Sequence, residues 1–271
     1  MIDSNPPIVM SFAGHDPCGG AGIQADIETV VSLGGHCTPI ITALTAQDSV
    51  NVKDFLATDP TLLVEQARAV LEDMPVAAFK IGMIGSVENA EAIHTLIREY
   101  RSIPVVLDPV LAAGGGGTLA KANLIAAIKS LILPLTTLAT PNTEEAQRLC
   151  DEADSADACA QQLLEMGCEY VLITGGHEPG GEITNRLWRG REKLEDYHWP
   201  RLPGQFHGTG CTLASACAAF IAHGASVEVA VRDAQKFTWQ TVEAARRLGM
   251  GQAIPNRFFW SAGASKPTTQ P

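Results

Sequence analysis

Short apolar runs rich in β-branched residues alternate along this chain with longer stretches of helical periodicity. The first run, residues 8–12, is followed by a glycine-rich segment, 14–22, and then by a predicted helix over 23–33. Such alternation is typical of βαβ units built around a mostly parallel sheet. We therefore predict an α/β fold in which helices flank a central, mostly parallel sheet. Further strands are predicted over residues 39–44, 77–83, 105–110, 138–140 and 170–174.

Helix and hairpin signals complete the predicted organisation. Asp59-Pro60 supplies an N-cap and a first-turn proline for one helix, and apolar residues at i, i+3, i+4 and i+7 from Ile93 indicate another. Two strands flanking Arg189-Gly190, over 183–188 and 193–199, predict a small hairpin at one edge of the sheet. The last two helices are predicted over 212–222 and about 227–247. We expect one domain over residues 1–260 and a disordered tail over 261–271.

Charge and hydropathy restrict the classes of partner. The 271 residues include 19 Lys and Arg against 30 Asp and Glu, so the net charge is −11. An acidic chain is a poor match for nucleic acid or an anionic membrane. The start of the sequence lacks the basic and apolar segments of a signal peptide, and the longest nearly apolar stretch, 213–221, is too short to span a bilayer. We expect a soluble, cytoplasmic protein whose seven cysteines, without a C-x-x-C pair, are reduced.

Two glycine-rich segments are candidates for ligand binding. The segment GHDPCGGAG, residues 14–22, lies between a predicted strand and helix, where ligands bind in open α/β sheets; an ordinary tight connection is equally compatible with it. Asp26, one turn into the helix, either hydrogen-bonds a ligand from below or is a solvated carboxylate. The segment HGTGCT, residues 207–212, precedes a helix, and its free amides could form an anion hole.

Cys211 belongs to that second segment and could act as a base. A helix N-terminus favours a thiolate, so the sequence predicts that the cysteine could take a proton from a hydroxyl group. The alternative is a small residue packed at a helix start. His207 is interpreted as a hydrogen-bonding loop residue rather than a catalyst.

Carboxylates after two predicted strands suggest a cation site. Asn142 and Glu145, in TPNTEEA, are three residues apart and could direct oxygens towards hydrated Mg²⁺. A capping box at a helix start, with Asn142 as the N-cap, is the preferred interpretation of this segment taken alone. Asp108 ends a buried strand, where a charge must be paired or metal-linked. Neither the phosphate loop G-x-x-x-x-G-K-[ST] nor the fingerprint G-x-G-x-x-G occurs, so any ATP binding uses another design.

Together these segments resemble the hydroxymethylpyrimidine/phosphomethylpyrimidine kinases of thiamine biosynthesis, within the ribokinase-like superfamily. The shared segments occur in the expected order and span nearly the whole chain before the tail. They are GHDPCGGAGIQADIET at 14–29, ITALTAQDSV at 41–50, KIGMIGS at 80–86, VLDPVLAAGGGG at 106–117, TPNTEEA at 140–146, VLITGGH at 171–177 and HGTGCTLASA at 207–216.

The resemblance implies ATP-dependent phosphorylation of 4-amino-5-hydroxymethyl-2-methylpyrimidine to its monophosphate and then its diphosphate, with Mg²⁺ as cofactor, by a homodimer. It implies that Cys211 stands where ribokinases usually have an aspartate base and that the backbone of Gly208, Thr209 and Gly210 forms the anion hole. Metal-site positions are Asp108 and Glu145. Positions implied for the pyrimidine are Gly14, Ala21, Asp26, Gln47, Met83 and Val110, and those implied for the nucleotide are Asn142, Thr174, Gly176 and Lys236.

The chain departs from the family pattern at two positions that carry lysine in many members. These are Gly114 and Thr174, and the loss of two positive charges transfers the stabilisation of phosphate to Mg²⁺, helix N-termini and Lys236. Two other functions stay open. One is a pyridoxal kinase, which phosphorylates a hydroxymethyl group on a related ring. The other is a pyrimidine- or nucleotide-binding sensor without catalysis, against which the joint presence of Cys211, Asn142 and Glu145 argues.

Overall fold

A computed structural model describes residues 5–263 except 112–118, 152, 177 and 179. Its strands are β1 (Ile8–His15), β2 (His36–Gln47), β3 (Val52–Ala57), β4 (Val76–Ile81), β5 (Val105–Leu107), β6 (Leu138–Ala139), β7 (Tyr170–Ile173), β8 (Glu182–Arg189) and β9 (Glu192–Pro200). Its α-helices are α1 (Gly22–Ser32), α2 (Pro60–Asp73), α3 (Val87–Glu99), α4 (Ala122–Ala127), α5 (Thr143–Leu149), α6 (Ala156–Glu165), α7 (Thr209–Ala222) and α8 (Val227–Glu243).

The strands form one sheet in the order β3-β2-β1-β4-β5-β6-β7-β8-β9. The strands from β2 to β7 in that order are parallel, whereas β3, β8 and β9 are antiparallel to their neighbours. The predicted mostly parallel α/β fold is therefore confirmed, and so is the predicted edge hairpin, which is β8–β9. Strand β3 was not predicted, because its sequence VKDFLA contains two adjacent charged residues and lies at an exposed edge.

Helices cover both faces of the sheet, as the apolar strands require. On one face, Leu63 of α2 and Ile93 of α3 pack with Phe12 of β1. On the other face, Ala214 of α7 and Val231 of α8 pack with the strand residues there. Among the described residues, no helix combines the length and hydropathy needed to cross a membrane.

Helix α7 begins at Thr209, three residues before its predicted start, and Gly208 makes this possible. Gly208 has φ of +85° and serves as the N-cap, a conformation that favours glycine. A Cβ at this position would also overlap the carbonyl oxygen of Gly20. The two glycine-rich segments therefore meet backbone to backbone at the carboxyl ends of the strands.

Helix α8 stops at Glu243 rather than near its predicted end at Arg247. Residues Phe259–Gly263 form a short 3₁₀ helix, which includes the first three residues of the predicted tail. The remainder of that tail lies outside the described residues.

Candidate active site

A cleft of about 620 Å³ lies at the carboxyl ends of the parallel strands. The loop after β1, the ends of β4 to β7 and the start of α7 all contribute to its walls. The structure thus brings together most of the residues that the sequence singled out. They are Gly14, Ala21, Gln47, Met83, Asp108, Val110, Asn142, Glu145, Thr174, Gly176, Gly208, Thr209, Gly210 and Cys211.

Two candidate residues lie outside the cleft walls. Asp26 is fully buried and accepts hydrogen bonds from Ser11 Oγ at 2.5 Å and Ser215 Oγ at 2.6 Å. It is therefore neither a solvated carboxylate nor a wall residue. Lys236 is exposed on α8 and is absent from the cleft wall. Gly114 falls outside the described residues.

Lys80 is a charged residue of the site that sequence reasoning missed. It is fully buried in β4 and also lines the cleft. Its Nζ lies 2.9 Å from Asp26 Oδ1 and 3.0 Å from Asp26 Oδ2. Burial alone would lower the pKa of this lysine, but the acidic groups around it, chiefly Asp26, together outweigh burial and raise it. A lysine inside an apolar strand signals a paired charge, and this signal was present in the segment KIGMIGS.

The Cys211 thiol lies among these charges. Burial, together with the nearby carboxylates of Asp108 and Asp26, raises its pKa to about 12. The Lys80 ammonium lowers the pKa, but by less than burial raises it. The expectation that the helix start would favour a thiolate is therefore wrong for this protein. The desolvation of the sulfur outweighs the influence of the Lys80 ammonium, and the thiol is neutral near pH 7.

Asp108 and Glu145 form an acidic pair on the cleft wall. Burial raises the pKa of Asp108, and its Oδ2 is a buried oxygen without a hydrogen-bond partner. Burial and the nearby charge of Asp108 raise the pKa of Glu145 to about 8. Two desolvated carboxylates and an unpartnered oxygen fit a hard divalent cation, which would stabilise their ionised forms.

The capping interpretation of Asn142 and Glu145 is confirmed. Asn142 Oδ1 accepts from the Glu145 amide at 2.9 Å, and Glu145 Oε2 accepts from the Asn142 amide at 3.0 Å. A cap and a cation site are compatible because each carboxylate and amide oxygen has two lone pairs. The cap fixes both side chains at the cleft wall before any cation binds.

Asp16 ties the glycine-rich loop to the segment before α7. Its carboxylate accepts from the amides of Cys18 and Ala21 at 2.9 and 2.8 Å, and its Oδ2 lies 2.9 Å from His207 Nε2. Burial would raise the pKa of Asp16, but these hydrogen bonds outweigh burial and lower it. Asp16, Cys18 and His207 are close enough to share a metal ion. Their polar atoms, however, already satisfy one another.

One end of the cleft is suited to a small polar ring. Met83 and Val110 pack in a small apolar cluster with Leu119. Gln47 Nε2 lies 3.5 Å from Nε2 of His207, which also lines the cleft. A Cβ at Gly14 would crowd Met83 Sδ at 2.9 Å, so glycine leaves room for the methionine. An amide donor and acceptor between apolar walls can bind the edge of a heteroaromatic ring.

The other end of the cleft is aromatic. The rings of Trp199 and Trp239 are stacked, with centroids 6.4 Å apart and an interplanar angle of 29°, and both line the cleft with Thr174 and Gly176. Arg201 lies beside them and donates to the carbonyl oxygens of Gly176 and Gly180, both at 2.8 Å. Arg201, rather than Lys236, is the cationic side chain that the structure places at this end.

Comparisons with known proteins agree with this geometry. A family model described as phosphomethylpyrimidine kinase matches residues 16–256. The chain is 39% identical over 267 residues to a hydroxymethylpyrimidine/phosphomethylpyrimidine kinase of Streptomyces coelicolor, covering 95% of this chain and 96% of that protein. It is 37% identical over 256 residues to the thiamine biosynthesis bifunctional protein ThiED of Geobacter sulfurreducens, covering 93% of this chain but 52% of that longer protein.

A solved structure of a related vitamin kinase is also similar. The Bacillus subtilis pyridoxal kinase in its ADP complex has a TM-score of 0.84 and 27% identity, covering 94% of this chain and 99% of that one. The ribokinase-like architecture and the predicted kinase family are thus confirmed. This chain belongs to the phosphomethylpyrimidine kinase family.

Proposed function

We propose that this protein transfers the γ-phosphoryl group of ATP to 4-amino-5-hydroxymethyl-2-methylpyrimidine and then to the resulting monophosphate, as a step of thiamine biosynthesis. The observation that carries the proposal is the position of the pocket formed by Gln47, Met83 and Val110. It shares one cleft with the N-terminus of α7. A bound hydroxymethyl group and the phosphoryl group to be transferred can therefore meet at the start of α7.

The first turn of α7 supplies the anion hole. Gly208, Thr209 and Gly210 present backbone amides at the N-terminus of a helix of 14 residues. Such amides stabilise negative charge on a phosphoryl group without reorganisation, because the fold already fixes them. Phosphoryl transfer depends chiefly on this kind of electrostatic stabilisation and positioning.

Cys211 is the proposed proton acceptor. A thiol with a pKa near 12 carries its proton at rest, so only the minor thiolate form can act as a base. The Lys80 ammonium favours that thiolate, which forms when the thiol releases its proton to solvent. We propose that the thiolate takes the hydroxyl proton as the bond from oxygen to phosphorus forms, and thereby returns to the neutral thiol. A small thiolate population can suffice, because little base strength is needed when the transition state is loose.

Asp108 and Glu145 are the proposed holders of Mg²⁺, with Asn142 at the edge of that site. When bound, Mg²⁺ supplies positive charge that neutralises the phosphates of ATP. The chain's own contribution is a pair of buried carboxylates, whose desolvation raises their pKa values. Thr174, Gly176 and Arg201 are proposed to contact the nucleotide.

Pyridoxal kinase activity is the second candidate, favoured by the structural similarity to the Bacillus subtilis enzyme. Purified protein with Mg-ATP and each alcohol separately, followed by mass spectrometry, tests both candidates. We expect mono- and diphosphate from the pyrimidine, with a kcat/KM above that for pyridoxal. Turnover of pyridoxal alone would reverse the assignment, and binding without turnover of either alcohol would indicate a sensor.

Assembly, location and domain organisation are also proposed. We propose a cytoplasmic homodimer in which residues 1–260 act as one kinase domain. The sheet edge supports association, because Leu44 of β2 and its partner Leu56 of β3 are 49% and 71% exposed. Light scattering of the purified protein should give twice the mass of 28.7 kDa. A single-chain mass across micromolar concentrations would contradict the dimer.

A further inference from the structure

The largest fully buried side chain among the described residues is a guanidinium far from any sequence motif. Arg257 is 1% exposed, although arginine is rarely buried unless it is paired. It follows the last long helix and lies 237 positions along the chain from one of its partners. Because burial of an unpaired charge is costly, the partners of Arg257 should indicate its role.

The guanidinium joins three separate parts of the site. Its Nη2 donates to the carbonyl oxygen of Gly20 at 2.6 Å, its Nε donates to Thr212 Oγ1 at 3.0 Å, and its Nη1 lies 3.0 Å from Glu28 Oε2. Gly20 belongs to the loop after β1, Glu28 to α1 and Thr212 to α7. One rigid planar group thus fixes the glycine-rich loop against the first turn of α7.

The contact continues into the anion hole. Thr212 Oγ1, which accepts from Arg257, itself donates to the carbonyl oxygen of Gly208 at 2.8 Å. Gly20 and Gly208 are in direct backbone contact, since a Cβ at Gly208 would overlap the carbonyl oxygen of Gly20. A shift of the guanidinium would therefore be transmitted to the residue that begins the anion hole.

A backbone segment holds Arg257 in this position. Residues 251–257, here called the C-terminal strap, are hydrogen-bonded to three other segments. Gln252 N donates to Ser49 O at 2.9 Å, His207 N donates to Ala253 O at 2.9 Å, and Asn256 N donates to Thr241 O at 2.9 Å. The strap thus touches the turn before β3, the segment before α7 and the end of α8, and Arg257 is its last residue.

We propose that Arg257 is a positioning residue for phosphoryl transfer, which sets the amides of Gly208 to Gly210 relative to the loop that holds the acceptor. The inference rests on the proposed function, because it assigns those amides to the transferring group. Arg257 itself does not line the cleft, so it acts through Gly20 and Thr212. Lysine cannot replace it, because an ammonium is a point donor that lacks the planar fork needed to reach three partners.

The test compares Arg257→Lys and Arg257→Met with wild-type protein at a temperature well below the melting temperature of each variant. Displacement of the amides should lower kcat about 10- to 100-fold, because misplacement of a stabilising group by about 1 Å has an effect of this size. The KM for the pyrimidine alcohol should stay within about threefold, since Gln47, Met83 and Val110 of the proposed ring pocket are not among the hydrogen-bond partners of Arg257. Arg68→Lys is the matched control, because Arg68 pairs with Glu99 between α2 and α3 and should leave kcat unchanged.

The outcomes separate the proposals. A lower melting temperature with kcat within twofold of wild type in both Arg257 variants would show a purely structural role and overturn the inference. A rise of about 10- to 100-fold in the KM for the pyrimidine alcohol with unchanged kcat would also overturn the inference, because the substitution would then affect the loop after β1 rather than the amides of Gly208 to Gly210. Absence of pyrimidine turnover in the wild type would refute the proposed function instead. If Arg257→Met does not fold, the kcat and KM of Arg257→Lys decide.

Discussion

Replacing Lys80 by methionine should destabilise the protein strongly, because it leaves the Asp26 carboxylate buried without its cation. Both side chains are 0% exposed, and methionine matches the shape of the lysine stem. Removing one partner of a buried ion pair costs about 3–5 kcal/mol. Ser11 and Ser215 still donate to Asp26, so we expect a value near the lower end, about 3 kcal/mol.

Urea unfolding at pH 7.5 measures this loss as a lower midpoint at an unchanged m value. The double variant Lys80→Met/Asp26→Asn removes both charges of this pair and should recover at least about 1 kcal/mol relative to Lys80→Met, because substitutions at residues in contact are not additive in their effects on stability. Lys129→Met is the control: its pair with Asp151 lies at the surface and should cost less than about 1 kcal/mol. Strictly additive effects of the two single substitutions would refute the argument.

Three further predictions concern the cleft. Glu145→Gln should make the metal-free protein more stable at pH 8 in thermal unfolding. The pKa of Glu145 is about 8 in the folded protein and about 4.3 in the unfolded chain, so wild-type stability falls as the pH rises between these values. Equal pH profiles of stability for the wild type and Glu145→Gln would contradict this prediction. Gln47→Ala should weaken pyrimidine binding by about 1–3 kcal/mol in calorimetry while ATP affinity is retained, and an equal loss for both would show a structural role. Cys211→Ala should lower kcat about 10²–10⁴-fold. Cys211→Asp should recover part of that loss and move the acid limb of the pH profile of kcat to lower pH. A near-native kcat in Cys211→Ala would show that the cysteine does not take part in catalysis.

Much of the fold could be predicted because its signals are local. Parallel strands buried on both faces are short apolar runs, and the hairpin β8–β9 is centred on the predicted turn at Arg189-Gly190. Strand β3 could not be predicted in this way. It pairs only with β2 at a solvent-exposed edge of the sheet. Lys53 and Asp54 can therefore interrupt the apolar pattern, because their charged side chains remain in solvent.

The site was predicted where backbone chemistry determines it and missed where tertiary packing does. Gly208 lies in a segment that is recognisable in sequence, and a positive φ and close backbone approach require glycine there. The roles of Lys80 and Arg257 depend on partners 54 and 237 positions away, and sequence alone does not reveal that proximity. The pKa of Cys211 was predicted in the wrong direction, because the helix start is visible in sequence whereas the depth of the thiol is not.

The stacked pair of Trp199 and Trp239 gives the protein an intrinsic fluorescent reporter. The other two tryptophans differ in environment from this pair: Trp188 is 6% exposed and Trp260 is 62% exposed, and neither lines the cleft. Their emission should therefore form a constant background. A molecule that enters the aromatic end of the cleft will change the polarity around two indole rings at once. Occupancy of that end can thus be followed by fluorescence titration, without a label and independently of turnover.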